Sequence, residues 1–228
     1  MRLAQLLDPR PAPVPPVVTP ARVGGPAAWQ DLLRSGALTP LRDAPLDTTG
    51  AVAVPAGVRV TPTHRALVLA ESCGGVLPAR AVLAGASAAW VHSGLRGGIH
   101  VPRLPTDAGF PELAHDAAVR RPDVPAGVLV RCAAGLVRDT MLLAGVPVTT
   151  PARTAADVAC RLPFEQAVPV LTALAAGSAD LDPVDLDAVE RALEARRRVV
   201  GRPAARRALA AARGQRPGAP SPRRSLVE

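Results

Sequence analysis

The stretch GVPVTTPARTAAD, residues 145–157, decides the fold of this 228-residue chain, because its pattern is that of a strand running directly into a helix. Val146–Thr149 is apolar and β-branched and predicts a short, mostly buried strand. Thr149 and Thr150 are residue types that cap helices, and Pro151 suits the first helical position. The segment therefore predicts a strand–cap–helix junction.

Two roles are open for the arginine of this junction. Arg153 and Asp157 are four residues apart on one helix face, where an exposed ion pair contributes about 0.3–0.5 kcal/mol. In the first interpretation Arg153 anchors nearby backbone carbonyls; in the second, Arg153 and Thr154 contact DNA or a protein partner. Asp139 and Asp157 could form a metal-binding pair. A nuclease active site, however, usually needs a tighter set of residues, such as an acidic residue followed by Glu-x-Lys, and the chain has no Lys.

The segments on either side of the junction predict an α/β (α+β) fold, with a small mixed sheet and helices followed by a helical segment. Hydrophobic periodicity and cap residues predict helices over residues 61–72, 86–93, 151–160, 163–177, 182–198 and 203–213. Alternating apolar residues predict strands over 98–103, 127–131, 136–143 and 146–149. The proline-dense stretch from 104 to 125 predicts a loop, because each proline removes a backbone donor.

The first 60 residues predict the tail end of a winged-helix unit. Residues 26–35 predict a short amphipathic helix, and 37–41 and 51–55 predict a hairpin, with no convincing recognition helix before them. Pro and Gly are dense in residues 1–25 and predict a disordered arm. The predicted domains are the arm (1–25), a degenerate winged-helix-like unit (26–60), an α/β domain ending in helices (61–213) and a flexible tail (214–228).

Positive charge is concentrated near the C-terminal end. Residues 191–228 contain eleven Arg and two acidic residues, whereas the whole chain carries a net charge of +8, so the first 190 residues are close to neutral. A basic segment attracts polyanions or an acidic partner. The alternative is that these Arg are solvated helix faces in a chain without Lys. The residues predicted to contact DNA or a partner are Arg153, Thr154, Arg196, Arg197, Arg198, Arg202, Arg206 and Arg207.

No sequence pattern predicts a catalytic, cofactor-binding or metal site. Cys73, Cys132 and Cys160 are isolated, and the four His lie on different predicted elements, so neither a disulfide framework nor a metal cluster is expected. No glycine-rich phosphate loop or nucleophile motif stands at a strand-to-helix turn. Without a long apolar run or a signal-peptide core, we expect a cytoplasmic protein that does not enter membranes.

The segment VPVTTPARTAADVA, residues 146–159, resembles the signature of the AbiEi-type antitoxin-like proteins of actinobacteria, in which a strand enters a TxxRTxxD-like helix. Other parts resemble that family in the same order: residues 65–95 with an Ala-Ala-Trp core, IHVPR (99–103), GVLVR (127–131) and GRPAARRALAAA (201–212). The similarity covers roughly residues 26–213. The structural motif that we assign consists of Thr149, Thr150, Pro151, Arg153, Asp157 and Trp90.

The resemblance implies an N-terminal winged helix that binds the operator of its own operon, and a C-terminal domain that counteracts a nucleotidyltransferase toxin, as in type IV toxin–antitoxin systems. Many relatives continue into a restriction-endonuclease-like domain similar to the very-short-patch repair enzymes. SPRRSLVE (221–228) resembles the entry to that domain, and we expect this chain to lack it. The resemblance transfers no catalytic residue.

Three functions are open at this point. The first is a non-enzymatic AbiEi-like antitoxin and transcriptional regulator that binds DNA, a nucleotidyltransferase toxin or both. The second is an orphan interaction module left from a fusion to a very-short-patch-repair-like endonuclease domain. The third is a cryptic hydrolase or nuclease that depends on Asp157. We predict the first.

Overall fold

The computed structural model describes residues 16–42, 51–96, 99–100, 111–195 and 199–215. Seven α-helices and nine strands lie in these ranges, which confirms the predicted α/β class. Several predictions fall outside the described residues: the arm over 1–15, the turn 43–50, the strand residues 101–103, the tail from 216 onward, and Arg196, Arg197 and Arg198.

The N-terminal unit is a helix beside a two-stranded hairpin. A short 3-10 helix, Pro20–Val23, leads into α1 (Pro26–Arg34), and β1 (Leu38–Arg42) pairs antiparallel with β2 (Val52–Pro55). Trp29 of α1 is buried in a small cluster with apolar residues of the hairpin. The helix and hairpin predicted from the sequence are therefore both present.

Residues 16–25 correct the prediction of a disordered arm, because they pack against this hairpin. Val18 exchanges two backbone hydrogen bonds with Ala53, at 2.8 and 3.0 Å. Val17 is also buried. The β-branched residues between Pro16 and Pro20 keep their backbone donors and favour an extended conformation, which the surrounding prolines obscured in the sequence.

The middle of the chain alternates helices and short strands. It comprises α2 (Pro62–Glu71), β3 (Val82–Leu83), α3 (Gly85–Ser93), β4 (Leu95–Arg96), β5 (Ile99–His100), β6 (Glu112–Asp116), β7 (Leu129–Ala133), β8 (Thr140–Leu143) and β9 (Val146–Thr149). The N-cap of α2 is a capping box, in which Thr61 accepts from the backbone N–H of His64 and the His64 ring contacts the Thr61 backbone.

Five of these strands form one mixed sheet in the order β7-β6-β3-β9-β8. The β3–β9 and β6–β7 pairs are parallel, whereas β3–β6 and β8–β9 are antiparallel. Leu83 is registered with Leu113 on one side and with Val148 on the other. These three side chains therefore share one face of the sheet, which packs against the first core.

The strand β6 contradicts the predicted loop over residues 104–125. It lies next to the middle of the sheet and pairs with strands on both sides. Pro111 precedes β6 and Pro122 follows it, so the five residues ELAHD between them retain every backbone donor. Proline density alone was therefore a misleading signal here.

Four helices follow β9: α4 (Pro151–Arg161), α5 (Phe164–Ala176), α6 (Leu186–Ala195) and α7 (Arg202–Gly214). α6 begins four residues later than the sequence predicts, because the Asp185 carboxylate accepts from the backbone N–H groups of Asp187 and Ala188 and caps the helix there. β8 likewise begins at Thr140 rather than at residue 136, since Leu136 accepts a turn hydrogen bond from the Asp139 N–H.

Two apolar cores divide the fold. The first lies between the sheet and α2 and α3, and contains the fully buried Trp90. The second joins α4, α5, α6 and α7, with Leu171 and Leu209 among its fully buried residues. Among the described helices, none combines the length and apolar character needed to cross a membrane.

Candidate functional site

The β9–α4 junction is a rigid scaffold. Thr150 is the N-cap of α4 and its hydroxyl accepts from the backbone N–H of Arg153 at 3.3 Å, while Pro151 occupies the first helical turn. The hydroxyls of Thr149 and Thr154 lie 2.8 Å apart, and both residues are fully buried. The polar atoms of this junction are therefore bound within the protein.

Arg153 is buried between two carboxylates. Its Nη1 donates to Oδ2 of Asp139 at 2.7 Å and to the carbonyl oxygen of Ala134 at 3.2 Å, and its Nε donates to Oδ2 of Asp157 at 3.2 Å. Burial alone lowers the pKa of Arg153, but the charges and hydrogen bonds of Asp157 and Asp139 outweigh it and raise the pKa above its usual value. The guanidinium thus joins the β7–β8 turn to α4 as a permanent cation.

The ion pairs continue from Asp157 towards the edge of the sheet. Arg161 lies 3.7 Å from Asp157 and 3.9 Å from Glu112, and Arg131 of β7 donates from Nε to Glu112 Oε1 at 2.5 Å. Six side chains therefore form one continuous chain of alternating charge, which we call the Arg–carboxylate chain: Asp139, Arg153, Asp157, Arg161, Glu112 and Arg131.

Glu112 is fixed by the N-terminus of α3. Its Oε2 accepts from the backbone N–H of Ala86 at 2.9 Å, and its own N–H donates to the hydroxyl of Ser87 at 2.7 Å. A carboxylate is stabilised there by the unpaired N–H groups and the helix dipole. A Cβ at Gly85 would come within 2.4 Å of this carboxylate, so any larger residue there would force the carboxylate to move.

A groove of about 780 Å³ runs along the Arg–carboxylate chain. Five members of that chain line it, together with Ala133 at the end of β7, Ala134 and Gly135 of the β7–β8 turn, and Leu193, Val199 and Val200 from α6 and the connection that follows it. The groove therefore combines charged groups, exposed backbone and an apolar rim. We take it as the candidate functional site.

The sequence-predicted contact residues do not all lie at this groove. Arg153 lines it but is 6% exposed, and Thr154 is fully buried. On α7, Arg206 donates two hydrogen bonds of 2.7 Å to the carboxylate of Glu194, and Arg202 lies 3.9 Å from the same carboxylate. Arg207 is exposed and forms no ion pair with a described residue.

Sequence reasoning missed Glu112, Arg131 and Arg161. Glu112 was assigned to a loop, and its partners lie 19 and 49 positions further along the chain. Asp139 and Asp157 do lie close together, as the imagined metal pair requires, but the guanidinium of Arg153 stands between them. Within the described ranges, no group of three His, Cys, Asp or Glu side chains is placed to hold a metal ion.

The three cysteines differ in their surroundings. Cys132 is exposed, whereas Cys73 and Cys160 are partly buried, and none of the three is in a disulfide. Burial raises the pKa of Cys73 to about 11, against the opposing charge of Arg42. A thiol with such a pKa stays protonated near neutral pH and is a poor nucleophile.

Comparison with protein-family models and with curated proteins identifies no relative. No protein-family model matches the chain. No curated protein matches it either.

Proposed function

We propose that this chain is a non-enzymatic, AbiEi-like antitoxin and regulator that acts by binding DNA, by counteracting a nucleotidyltransferase-type toxin, or by both. One observation supports the non-enzymatic part of the proposal. Each carboxylate of the Arg–carboxylate chain is engaged by at least one guanidinium. Carboxylates neutralised in this way suit a binding surface better than acid–base or metal-assisted hydrolysis, which needs a carboxylate available to a proton or a metal.

The N-terminal unit supports the DNA-binding part of the proposal. α1 followed by the β1–β2 hairpin is the element order of a helix and its wing, and DNA-binding units of this kind use the helix and the hairpin against the duplex. Within α7, Arg207 is the predicted contact residue whose charge is least engaged, because Arg202 and Arg206 share Glu194. We therefore place the proposed contacts on the hairpin and on Arg207, and we keep Arg196, Arg197 and Arg198 as contacts predicted from the sequence alone.

The test is a gel shift on the DNA upstream of the gene across a salt series. Phosphate-driven binding must weaken steeply as salt rises. Replacing Arg196, Arg197 and Arg198 with Ser should lower the affinity and flatten the salt dependence. A parallel assay co-expresses neighbouring toxin candidates and scores growth rescue. Absence of both DNA binding and rescue would reject the proposal.

An orphan interaction module is the second candidate, and the edge strand β8 favours it. Leu142 on β8 is 68% exposed, and Val137 in the turn before it is 85% exposed. The outer side of β8 carries no strand within the described part of the sheet, and such an edge can accept a strand from another protein. If the protein captures a partner that L142E abolishes, while DNA binding is absent, this candidate replaces the first.

A further inference from the structure

We propose that the groove binds a phosphate group through the guanidinium groups of Arg131 and Arg161. A nucleoside phosphate and a nucleic-acid backbone both present this group, and the experiment below separates the two sources. The inference does not rest on the proposed function, because the DNA contacts suggested above lie on the N-terminal hairpin, on α7 and on the residues before α7.

Around Arg131 and Arg161, the positive and negative side chains differ in how far they are exposed. The side chains of Glu112 and Asp157 are each 10% exposed, whereas those of Arg131 and Arg161 are 43% and 33% exposed. Both carboxylates therefore lie deeper than the two guanidinium groups, and of these two carboxylates only that of Asp157 is in the lining of the groove. An approaching ligand meets the positive charges first, although the chain of six is neutral as a whole.

Most N–H donors of these two arginines are unused by the described residues. The Nε of Arg131 donates to Glu112, and its two Nη atoms make no hydrogen bond within the described part of the chain. Arg161 approaches its carboxylates at 3.7 and 3.9 Å, beyond hydrogen-bond distance. A guanidinium offers five donors in a planar fork that matches phosphate oxygens.

The scaffold beneath the two arginines is rigid. Glu112 is held by the N-terminus of α3 and in turn holds Arg131. Asp157 is held by Arg153 and lies beside Arg161. Guanidinium groups positioned in advance lose less side-chain entropy when a ligand binds, which favours affinity.

The rest of the groove suits a nucleoside better than a bare anion. Val199, Val200 and Leu193 provide an apolar wall, and Val200 is 91% exposed. Asp139, with 29% of its side chain exposed, offers a carboxylate to a hydroxyl or amino donor. A nucleoside phosphate carries an anion, hydroxyl donors and a flat base, which correspond to these three features.

The experiment is isothermal titration of the full chain with three probes: adenosine 5′-monophosphate, orthophosphate and a short DNA duplex. The variants are R131Q and R161Q, and R121Q is the matched control because Arg121 is exposed and does not line the groove. We expect R131Q and R161Q each to weaken the binding of whichever probe the groove takes by about tenfold or more, the usual loss for a charge-assisted hydrogen bond. R121Q should leave that binding unchanged.

The nucleotide and duplex arms separate the two sources of phosphate, and the orthophosphate arm tests the phosphate site without a nucleoside or a duplex. Nucleotide binding that both variants weaken assigns the groove to a free nucleotide, whereas duplex binding weakened by both, without nucleotide binding, assigns it to a nucleic-acid backbone. Either result supports the site, and the first does so even if the proposed DNA function fails. Binding of no probe, or binding that R161Q leaves unchanged, overturns it. Circular dichroism verifies folding, and if R131Q does not fold, R161Q decides alone.

Discussion

Arg65 of α2 donates a hydrogen bond from Nε to the carbonyl oxygen of Val91, at 2.7 Å, in the last turn of α3. Its Nη2 donates to the carbonyl oxygen of His92 at 3.3 Å. The last carbonyls of a helix have no partner within the helix, and a cation there complements the helix dipole. Burial lowers the pKa of Arg65 to about 10, so the side chain remains charged near neutral pH.

We expect R65M to lower the free energy of unfolding by about 2–3 kcal/mol, because buried carbonyls lose charged donors. R59M is the matched control: Arg59 forms an exposed ion pair with Asp180, whose loss should cost less than about 1 kcal/mol. Urea denaturation of both variants measures the difference. Equal losses for the two substitutions would contradict the helix-capping role of Arg65.

The glycine at the start of α3 should tolerate substitution less well than Gly145, for a steric reason. Gly85 and Gly145 both have positive φ, of 53° and 83°, but a Cβ at Gly145 has no atom within 4 Å, whereas one at Gly85 meets the Glu112 carboxylate. G145A should therefore cost only the backbone strain of about 1–2 kcal/mol. G85A should cost at least about 1 kcal/mol more, because it also displaces a buried carboxylate. Thermal and urea unfolding compare the two; the prediction fails if G85A is the milder change.

Removal of Arg153 should be severe, because it removes the buried cation that donates hydrogen bonds to both Asp139 and Asp157, although Arg161 remains 3.7 Å from Asp157. We expect R153M to lower the free energy of unfolding by about 3–5 kcal/mol, as for other buried pairs broken on one side. R206M, which removes an exposed partner of Glu194, should cost less than about 1 kcal/mol. Denaturation at low and high salt adds a second readout, since screening affects the exposed pair more. A mild effect of R153M would show that Asp139 and Asp157 are stabilised by other groups.

The stability of the fold should fall in mild acid through His92. Its Nε2 donates to the carbonyl oxygen of Thr149 at 2.7 Å, and its Nδ1 is buried without a hydrogen bond from a described residue. Burial lowers the pKa of this ring. The unfolded chain therefore takes up a proton as pH falls below about 6.5 while the folded chain does not, and stability drops by at most about 1.4 kcal/mol per pH unit.

The measurement compares urea unfolding at pH 7 and pH 5 for the wild type, H92Q and H100Q. Gln can still donate to Thr149 but does not titrate, so H92Q should lose less stability in acid than the wild type. H100Q replaces an exposed ring and serves as the control. His64, whose pKa burial also lowers, contributes in the same direction to all three proteins. An identical acid response of H92Q and the wild type would exclude His92 as the cause.

Thiol labelling should distinguish the cysteines by exposure. At pH 8, iodoacetamide should modify Cys132 first, because it is exposed, and Cys73 much more slowly. With a pKa of about 11, Cys73 is ionised to the extent of only about one part in a thousand at that pH. Peptide mass spectrometry over a time course reads both rates. Denaturant should equalise them, and equal rates in the native protein would contradict the burial of Cys73.

Local features of the fold follow from neighbouring residues, and the sequence predicts them well. The Thr150 cap, Pro151 in the first turn and the Arg153–Asp157 pair all involve residues within four positions of one another. Helix and strand periodicities are likewise local. The lengths of α5 and α7 are therefore close to prediction, while α6 starts later because the Asp185 cap competes with the apolar pattern.

The candidate site could not be predicted in the same way, because it depends on sheet order. Glu112 contacts Arg131 only because β6 and β7 are parallel neighbours. It contacts Ala86 only because β3 pairs with β6 on the side away from β7, and α3 follows β3 in the chain. No motif of fixed spacing encodes these contacts. The two Arg that the sequence left without a role, Arg131 and Arg161, are accordingly placed by the structure in the lining of the groove.

The ion pairs between α6 and α7 limit how far the positive charge of these two helices acts. Glu194 binds Arg206, and Arg213 lies 2.8 Å from Asp187 and also contacts Glu190. At a distance, a paired guanidinium and carboxylate act as a dipole, whose potential decays faster than that of a single charge and is screened within roughly 10 Å at physiological salt. Long-range attraction of a polyanion by α6 and α7 would thus depend on cations outside these ion pairs, such as Arg207, and the number of arginines on the two helices overstates the field that a distant partner experiences.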